Sequence, residues 1–285
     1  MARTTNIPYE EIIKLNQEKG IPIPELAKLY NIKQSYIYGY LHRRKISSNK
    51  MIQDRRKNKP IDTFLDVIDT EEKAYFLGLM MSDGYINESN TRGYIYEKFG
   101  IFIKDSDKEV IEKICSVMGI KSSYRKSTKM VGFNVSSIQI ISRLNELGIS
   151  KNKTYKELSI PKIDKNLVRH FIRGYFDGDG SISKRSSRPN QVQVYICGIC
   201  KSFLEEVSEI LNEENISSKL YTEVRNKKNR KDMFTLRITT HKDRILFFDY
   251  LYKDSNIKID RKYSKYKNYY ANTVLNIESK KSMSV

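Results

Sequence analysis

One short stretch of this chain occurs twice. Phe76-Leu-Gly-Leu-Met-Met-Ser-Asp83-Gly84 and Ile172-Arg-Gly-Tyr-Phe-Asp-Gly-Asp179-Gly180 are both apolar helical runs closed by Asp-Gly, 96 positions apart (83 to 179). Each carries small residues at i and i+4, Gly78 with Ser82 and Gly174 with Gly178. Residues four apart share one helix face. Helix axes normally stay about 8–10 Å apart because side chains intervene. Two small-residue stripes facing each other allow an approach at the near end of that range. The aspartate that ends each stripe then meets its twin. Asp83 and Asp179 are therefore expected to form a carboxylate pair, built by packing two halves of one chain.

The flanks of the motif repeat as well. Alternation sets Phe99, Ile101 and Ile103 against Tyr96, Lys98 and Phe102 in the first half, and Val192, Val194 and Ile196 against Gln191, Gln193 and Tyr195 in the second, the mark of half-buried strands. Amphipathic helices follow over Lys108–Met118 and Ser202–Glu213, trailed by the similar phrases Gly119-Ile-Lys-Ser-Ser123 and Asn215-Ile-Ser-Ser218. Further strand pairs fall within Tyr124–Ser136 and Leu220–Thr239, and closing helices over Ile138–Leu147 and Asp243–Tyr252. The fold class this predicts is α+β. Two pseudo-symmetric αββαββα repeats, residues 61–164 and 165–285, pack through their first helices, with helices on one face of each sheet.

Residues 1–46 follow a different pattern. Tyr9–Gln17 reads as a short amphipathic helix, and the segment from Ile23 to Arg43 resembles a helix-turn-helix. Ala27 is small where two helices would cross, and Asn31 stands at the turn, where Asn tolerates a left-handed conformation. Leu26, Tyr30, Ile32, Ile37 and Tyr40 take the buried positions, and Pro24 fits a first helical turn. The second helix of such a unit enters the major groove, here presenting Lys33, Gln34, Ser35, Tyr38 and His42, with Arg43 and Arg44 at its end. A plain helical hairpin is the structural alternative. Residues 47–60 form a basic linker that suits phosphates.

The two motifs, their spacing and the duplicated plan resemble the LAGLIDADG homing endonucleases in their single-chain, two-repeat form. The resemblance covers roughly Asp62 to Tyr270. It implies a site-specific double-strand DNA endonuclease, a hydrolase encoded by an intron or other mobile genetic element. In that family the paired motif helices form the interface, and two sheets straddle a long duplex site. Carried onto this chain, the metal-binding carboxylates are Asp83 and Asp179, with the backbone carbonyls of Ser82 and Gly178 beside them. Lys153 and Lys262, at equivalent ends of the repeats, are the candidate basic residues of the catalytic site, orienting water or stabilising developing charge; phosphate contacts are their plainer role. Outward residues Tyr94, Tyr96, Lys98, Asn134, Ser136, Gln191, Gln193, Tyr195 and Arg237 are the candidate DNA-binding set on the strands, since Gln and Asn suit adenine and Arg suits guanine. Two departures stand out. Met81 occupies a position where an acid is common and where the second motif has Asp177. Arg173 replaces a small residue, so it has to point away from the helix pair or loosen it.

Elementary chemistry favours the same cofactor. Two carboxylates in contact repel, and a divalent cation relieves this. Mg²⁺ (or Mn²⁺) suits the work because Mg²⁺ takes few carboxylates and keeps several waters. The net charge of +18, from 52 Lys+Arg against 34 Asp+Glu, suits a polyanion. Double-stranded DNA is the expected partner and intron RNA a further one, with the protein a monomer of internal pseudo-twofold symmetry. No apolar run approaches the ~20 residues of a membrane span, so a cytoplasmic location is expected, in a nucleoid or phage-infected cell.

Other classes fit poorly. The three cysteines, Cys115, Cys197 and Cys200, lack the partners of a four-ligand zinc site. Asp177-Gly-Asp179 mimics a calcium loop, but Ile182 and Arg188 stand where that loop needs Gly and Glu. An intein is disfavoured by the chain ends. The remaining alternatives on the same fold are a catalytically inactive DNA-binding transcription regulator and an intron RNA maturase.

Overall fold

The computed structural model describes residues 7–18, 21, 23–44, 46, 58–91, 94–153, 156–185, 188–224 and 232–269. Three short helices come first: α1 (Tyr9–Glu18), α2 (Ile23–Leu29) and α3 (Gln34–Arg43). Between α2 and α3 the backbone of Asn31 is left-handed, at φ 50°, and the Ile32 amide bonds back to the Ala27 carbonyl. Ile12, Ile23, Leu26, Ala27, Ile37 and Leu41 close a small core of their own. Tyr30, Ile32 and Tyr40, expected inside it, are only half-buried at its edge. Tyr40 instead stacks on Tyr9, with ring centroids 4.1 Å apart.

Most of the basic linker lies outside the described residues. The Asn58 amide exchanges two hydrogen bonds with the Lys121 backbone, at 2.8 and 2.7 Å, and so docks onto the first repeat.

The first repeat runs α4 (Glu71–Ser82), β1 (Tyr85–Thr91), β2 (Tyr94–Lys104), α5 (Lys108–Met118), β3 (Ser123–Arg125), β4 (Met130–Val135) and α6 (Ile138–Glu146). The second runs α7 (Lys165–Asp179), β5 (Gly180–Arg185), β6 (Arg188–Gly198), α8 (Lys201–Glu213), β7 (Ser218–Glu223), β8 (Met233–Ile238) and α9 (His241–Tyr252). A further helix, α10, covers 260–269. Each repeat forms one antiparallel four-stranded sheet, ordered β1-β2-β4-β3 and β5-β6-β8-β7. The predicted α+β fold of two αββαββα repeats is therefore the observed one.

Local chemistry explains the boundaries. Thr70 caps α4, accepting from the Lys73 amide, and Asp164 caps α7, accepting from the Asn166 amide at 2.8 Å; such caps satisfy amides that a helix start leaves free. The ends of α5 and α8 also match. Gly119 (φ 71°) and Asn215 (φ 59°) are both left-handed, and the next amides, Ile120 and Ile216, close back onto the Cys115 and Leu211 carbonyls. This left-handed closure stops a helix without orphaning its last carbonyls. It is the physical content of the repeated phrases noted above.

One continuous core runs through both repeats. Phe99, Ile101, Ile103, Val131 and Phe133 face it from the first sheet, and Val194, Ile196, Leu236 and Ile238 from the second. The exits of the repeats cross over. The segment leaving the first repeat bonds to the second: the Leu158 amide to Cys200 Sγ and the Ile160 amide to Glu206 (2.7 Å). The segment leaving the second returns the arrangement, with Arg261 on Asp107 (3.0 Å) and the Asn256 carbonyl accepting from Lys113 (2.5 Å). Neither repeat completes its own surface.

Candidate active site

Helices α4 and α7 meet over the most extensive contact between described elements. Their small residues decide how closely. A Cβ added to Gly78 would fall 2.0 Å from the Phe171 carbonyl oxygen, and one on Gly174 would fall 2.1 Å from that of Tyr75. These contacts are reciprocal, because Tyr75 and Phe171 stand at equivalent places in the two motifs. Backbone lies against backbone. Further along, a Cβ on Gly178 would meet Ser82 Oγ at 2.0 Å and Asp83 Oδ2 at 3.0 Å, so the Asp83 carboxylate reaches across to the residue beside Asp179.

Asp83 and Asp179 thus end the two helices side by side, and both remain open to solvent. Packed protein around them still disfavours charge. Burial, then the neighbouring Asp83 charge, pushes the Asp179 carboxyl up to about 6, against the pull of Lys153, Lys262 and a hydrogen bond from Tyr175. Burial likewise raises Asp83, with Lys153 and Lys262 opposing.

The two lysines sit symmetrically behind the pair. Lys153 Nζ donates to the carbonyls of Met80 (2.8 Å), Met81 (2.7 Å) and Ser82 (2.8 Å). Lys262 Nζ donates to those of Phe176 (2.5 Å), Asp177 (2.7 Å), Gly178 (3.4 Å) and Gly180 (2.7 Å). An ammonium has three donors, so each is fully engaged on the last carbonyls of a motif helix, where positive charge is favoured. Both amines are pushed down to about 8 by burial; the aspartates at the site pull each of them back up.

Beneath this symmetric layer the halves differ. Asp177 is buried and accepts from Tyr75 (2.8 Å), Tyr252 (2.7 Å) and the Ile259 amide (2.9 Å), whereas its counterpart Met81 is buried in apolar surroundings. Arg173 is wholly buried without parting the helices, its guanidinium lying over the Tyr75 ring of α4 at 5.5 Å. Its guanidinium donates to Glu71 (2.5 Å) and to the Leu251 (2.8 Å) and Ile257 (2.9 Å) carbonyls, and contacts His170 Nδ1 (2.8 Å). Burial, then the Arg173 charge, pushes His170 down to about 4, so it stays neutral. Sequence reasoning missed this network. The one available signal was an arginine inside an apolar run, which demands a carboxylate, here Glu71 at the start of the opposite helix.

The predicted DNA-contacting residues divide into three groups. Asn134 and Arg237 are exposed, and Tyr96, Lys98, Gln193 and Tyr195 half-buried, on the outward sheet faces; Lys33, Gln34, Ser35, His42, Arg43 and Arg44 are exposed and Tyr38 half-buried on and beside α3. Ser136 corrects the expectation, because it is buried. Strand β4 ends at Val135 and Ser137 caps α6, which draws Ser136 into the turn between them. The side chains of Tyr94 and Gln191 lie outside the described residues.

Residues whose chemistry suits a cation are Asp83, Asp179 and the Ser82 and Gly178 carbonyls, an all-oxygen set. Among the described residues no cluster of three or more His, Cys, Asp or Glu side chains could hold a metal. Two carboxylates with room for water fit Mg²⁺ better than a closed protein cage would. The half-buried Cys197 and Cys200 are partnered by Thr235 and by the Leu158 backbone.

Comparison with known proteins follows the same division. Residues 166–252 match the LAGLIDADG-like domain model, and residues 72–152 match the WhiA LAGLIDADG-like domain model. The chain is 29% identical over 210 residues to a probable translation initiation factor IF-2 of Methanocaldococcus jannaschii, covering 67% of this chain and 16% of that protein. It is 26% identical over 186 residues to the corresponding factor of Thermococcus kodakarensis, covering 62% and 14%. It thus spans about a sixth of these relatives. Among solved structures it is similar to the I-LtrWI LAGLIDADG homing endonuclease bound to target DNA, with 16% identity and a TM-score of 0.48, covering 74% of this chain and 91% of that one. It is also similar to mesophilic variants of the homing endonuclease I-DmoI, with 19% identity and a TM-score of 0.45, covering 64% and 94%.

Proposed function

This chain belongs to the LAGLIDADG family, and from that premise we propose that it is a site-specific double-strand DNA endonuclease acting by divalent-metal-assisted phosphodiester hydrolysis. One observation carries the proposal: Asp83 and Asp179 come together at the joined ends of α4 and α7. A protein that only binds DNA gains nothing from two aligned carboxylates facing a polyanion. Divalent cations held by Asp83, Asp179 and the Ser82 and Gly178 carbonyls would supply an activated water and stabilise the leaving oxygen. Lys153 and Lys262 fix the helix ends that carry these oxygens and place positive charge behind them. Their hydrogen bonds support a positioning role over direct contact with water. With one carboxylate from each repeat, the pair addresses both strands from a single chain.

The strongly basic composition favours many phosphate contacts, so binding should weaken with salt by a slope of about −0.9 per phosphate neutralised. The exposed basic and polar residues on and beside α3 support a second DNA contact by the N-terminal helices. The test is incubation of the full chain with genomic DNA and Mg²⁺ or Mn²⁺, followed by sequencing of the ends. Discrete double-strand ends that disappear in Asp83→Asn and Asp179→Asn are expected. Sequence-selective binding without cutting in either metal would replace the enzyme with a transcription regulator, and cleavage-independent rescue of intron splicing would identify a maturase.

A further inference from the structure

The outward face of the first sheet holds a cluster that the proposed chemistry does not use. Tyr85, two residues past Asp83, pairs with Gly100 across β1 and β2. A Cβ on Gly100 would stand 2.8 Å from the Tyr85 hydroxyl, so the ring lies down over the bare glycine. Phe102 does the same beside its partner Gly132, whose Cβ would stand 2.8 Å from Phe102 Cδ1. Arg125, at the end of β3, rests on this pavement. Its Cζ lies 3.3 Å from the Phe102 ring centroid, and its charge bears on the Tyr85 hydroxyl. The residue nevertheless remains exposed.

A guanidinium stacked on one ring beside the hydroxyl of another has already lost much of its rotamer freedom. The guanidinium is planar and carries more donors than those contacts use. Such a preset fork matches the O6 and N7 acceptors of guanine in the major groove. We propose that Arg125 reads a guanine in the half-site held by the first repeat, with Tyr85 and Phe102 as positioning residues. The inference rests on the proposed function, in that the outward sheet faces must lie on duplex DNA.

Among the described residues the second repeat has no copy of the device. Ser181 pairs with Tyr195, and Cys197 with Thr235, at the corresponding rungs. Its guanidinium is Arg237, set on Tyr221 at 4.7 Å from a different rung. The guanine requirement of Arg125 therefore falls on one half-site only.

The experiment is selection of bound duplexes from a random DNA library by the full chain in EDTA, comparing wild type with Arg125→Ala, Arg125→Lys and Tyr85→Phe. Wild type should prefer guanine at one position by about 5- to 150-fold, the range of one good bidentate contact. Arg125→Ala and Arg125→Lys should lose that preference while keeping all others, and Tyr85→Phe should weaken it at the same position alone. A uniform loss of affinity across sequences would make Arg125 a phosphate contact and overturn the proposal. Unchanged preferences in a folded Arg125→Ala would overturn it too, and both results leave the DNA-binding reading standing. A wild type that selects no sequence removes that reading, and this one with it.

Discussion

Helices α4 and α7 show which parts of a duplicated fold are held to symmetry and which are released. On the faces that touch, Gly78 meets Phe171 as Gly174 meets Tyr75, and the two contact distances agree to within 0.1 Å. At the ends, Lys153 and Lys262 engage equivalent carbonyls. One position before those small residues, Leu77 corresponds to Arg173 and Met81 to Asp177, and of the two helices α7 carries the buried arginine and the hydrogen-bonded carboxylate, each with a partner on α4. Symmetry is retained where two backbones must fit each other. It is relaxed where side chains bridge the two helices, Arg173 reaching Glu71 and Asp177 accepting from Tyr75.

Four measurements break or sharpen that contrast. Arg173→Leu gives α7 the residue of α4 and strips Glu71 of its buried partner. Breaking a buried pair by removing one member costs about 3–5 kcal/mol, and urea unfolding should show it. Repair by Glu71→Gln in the same background should recover part of the loss. Gly78→Ala and Gly174→Ala should each cost about 3 kcal/mol, the upper part of the usual overpacking range, because each new Cβ meets a carbonyl that cannot yield. Equal losses support the reciprocal contact, and a difference larger than about 1 kcal/mol argues against it.

Smaller effects come from the asymmetric layer. Tyr75→Phe and Tyr252→Phe each remove one donor from buried Asp177, at a cost of about 1–3 kcal/mol. The double variant should cost less than the sum if the carboxyl then takes up a proton. The smallest effect concerns Asp179. Its carboxyl titrates near 6 in the folded chain, above the ordinary value of about 3.9. The folded state therefore holds its proton more tightly than the unfolded one, so this group favours folding below about pH 4 and loses that contribution as pH rises through 6. Asp179→Asn should remove the decline and stabilise the protein at pH 7. Because Asp179 faces solvent, screening holds the gain to about 1 kcal/mol or less. Thermal melts across pH 4–8 would show it, and a variant with an unchanged pH profile would refute the assignment.

Much of this was legible along the chain. Gly78 and Ser82, with Gly174 and Gly178, announce a close helix contact through spacing alone, and alternation at Phe99, Ile101 and Ile103 orients the first sheet. The left-handed Asn31 follows from its residue type at a turn. Illegible were the tasks of Lys153 and Lys262. Their sequence positions at the ends of the repeats are equivalent, yet nothing local shows that all their donors meet helix carbonyls. Ser136 reads as an outward strand residue until the turn into α6 buries it. Glu71 looks like an ordinary first-turn acid, although it holds Arg173 and the Asn256 and Ile257 amides together.

The amino-acid order was enough for the duplication, the strand alternation, the helix-end residues and the nomination of Asp83 and Asp179, since each depends on periodicity or on conformations within a few residues. The surroundings of that pair were settled by folding. Lys153 and Lys262 reach the motif helices over sequence separations of 71 to 86, and Glu71 meets Ile257 over one of 186. The lysines fold back onto their own repeats while Ile257 crosses to the other, and long-range packing of either kind leaves no periodic trace in the chain.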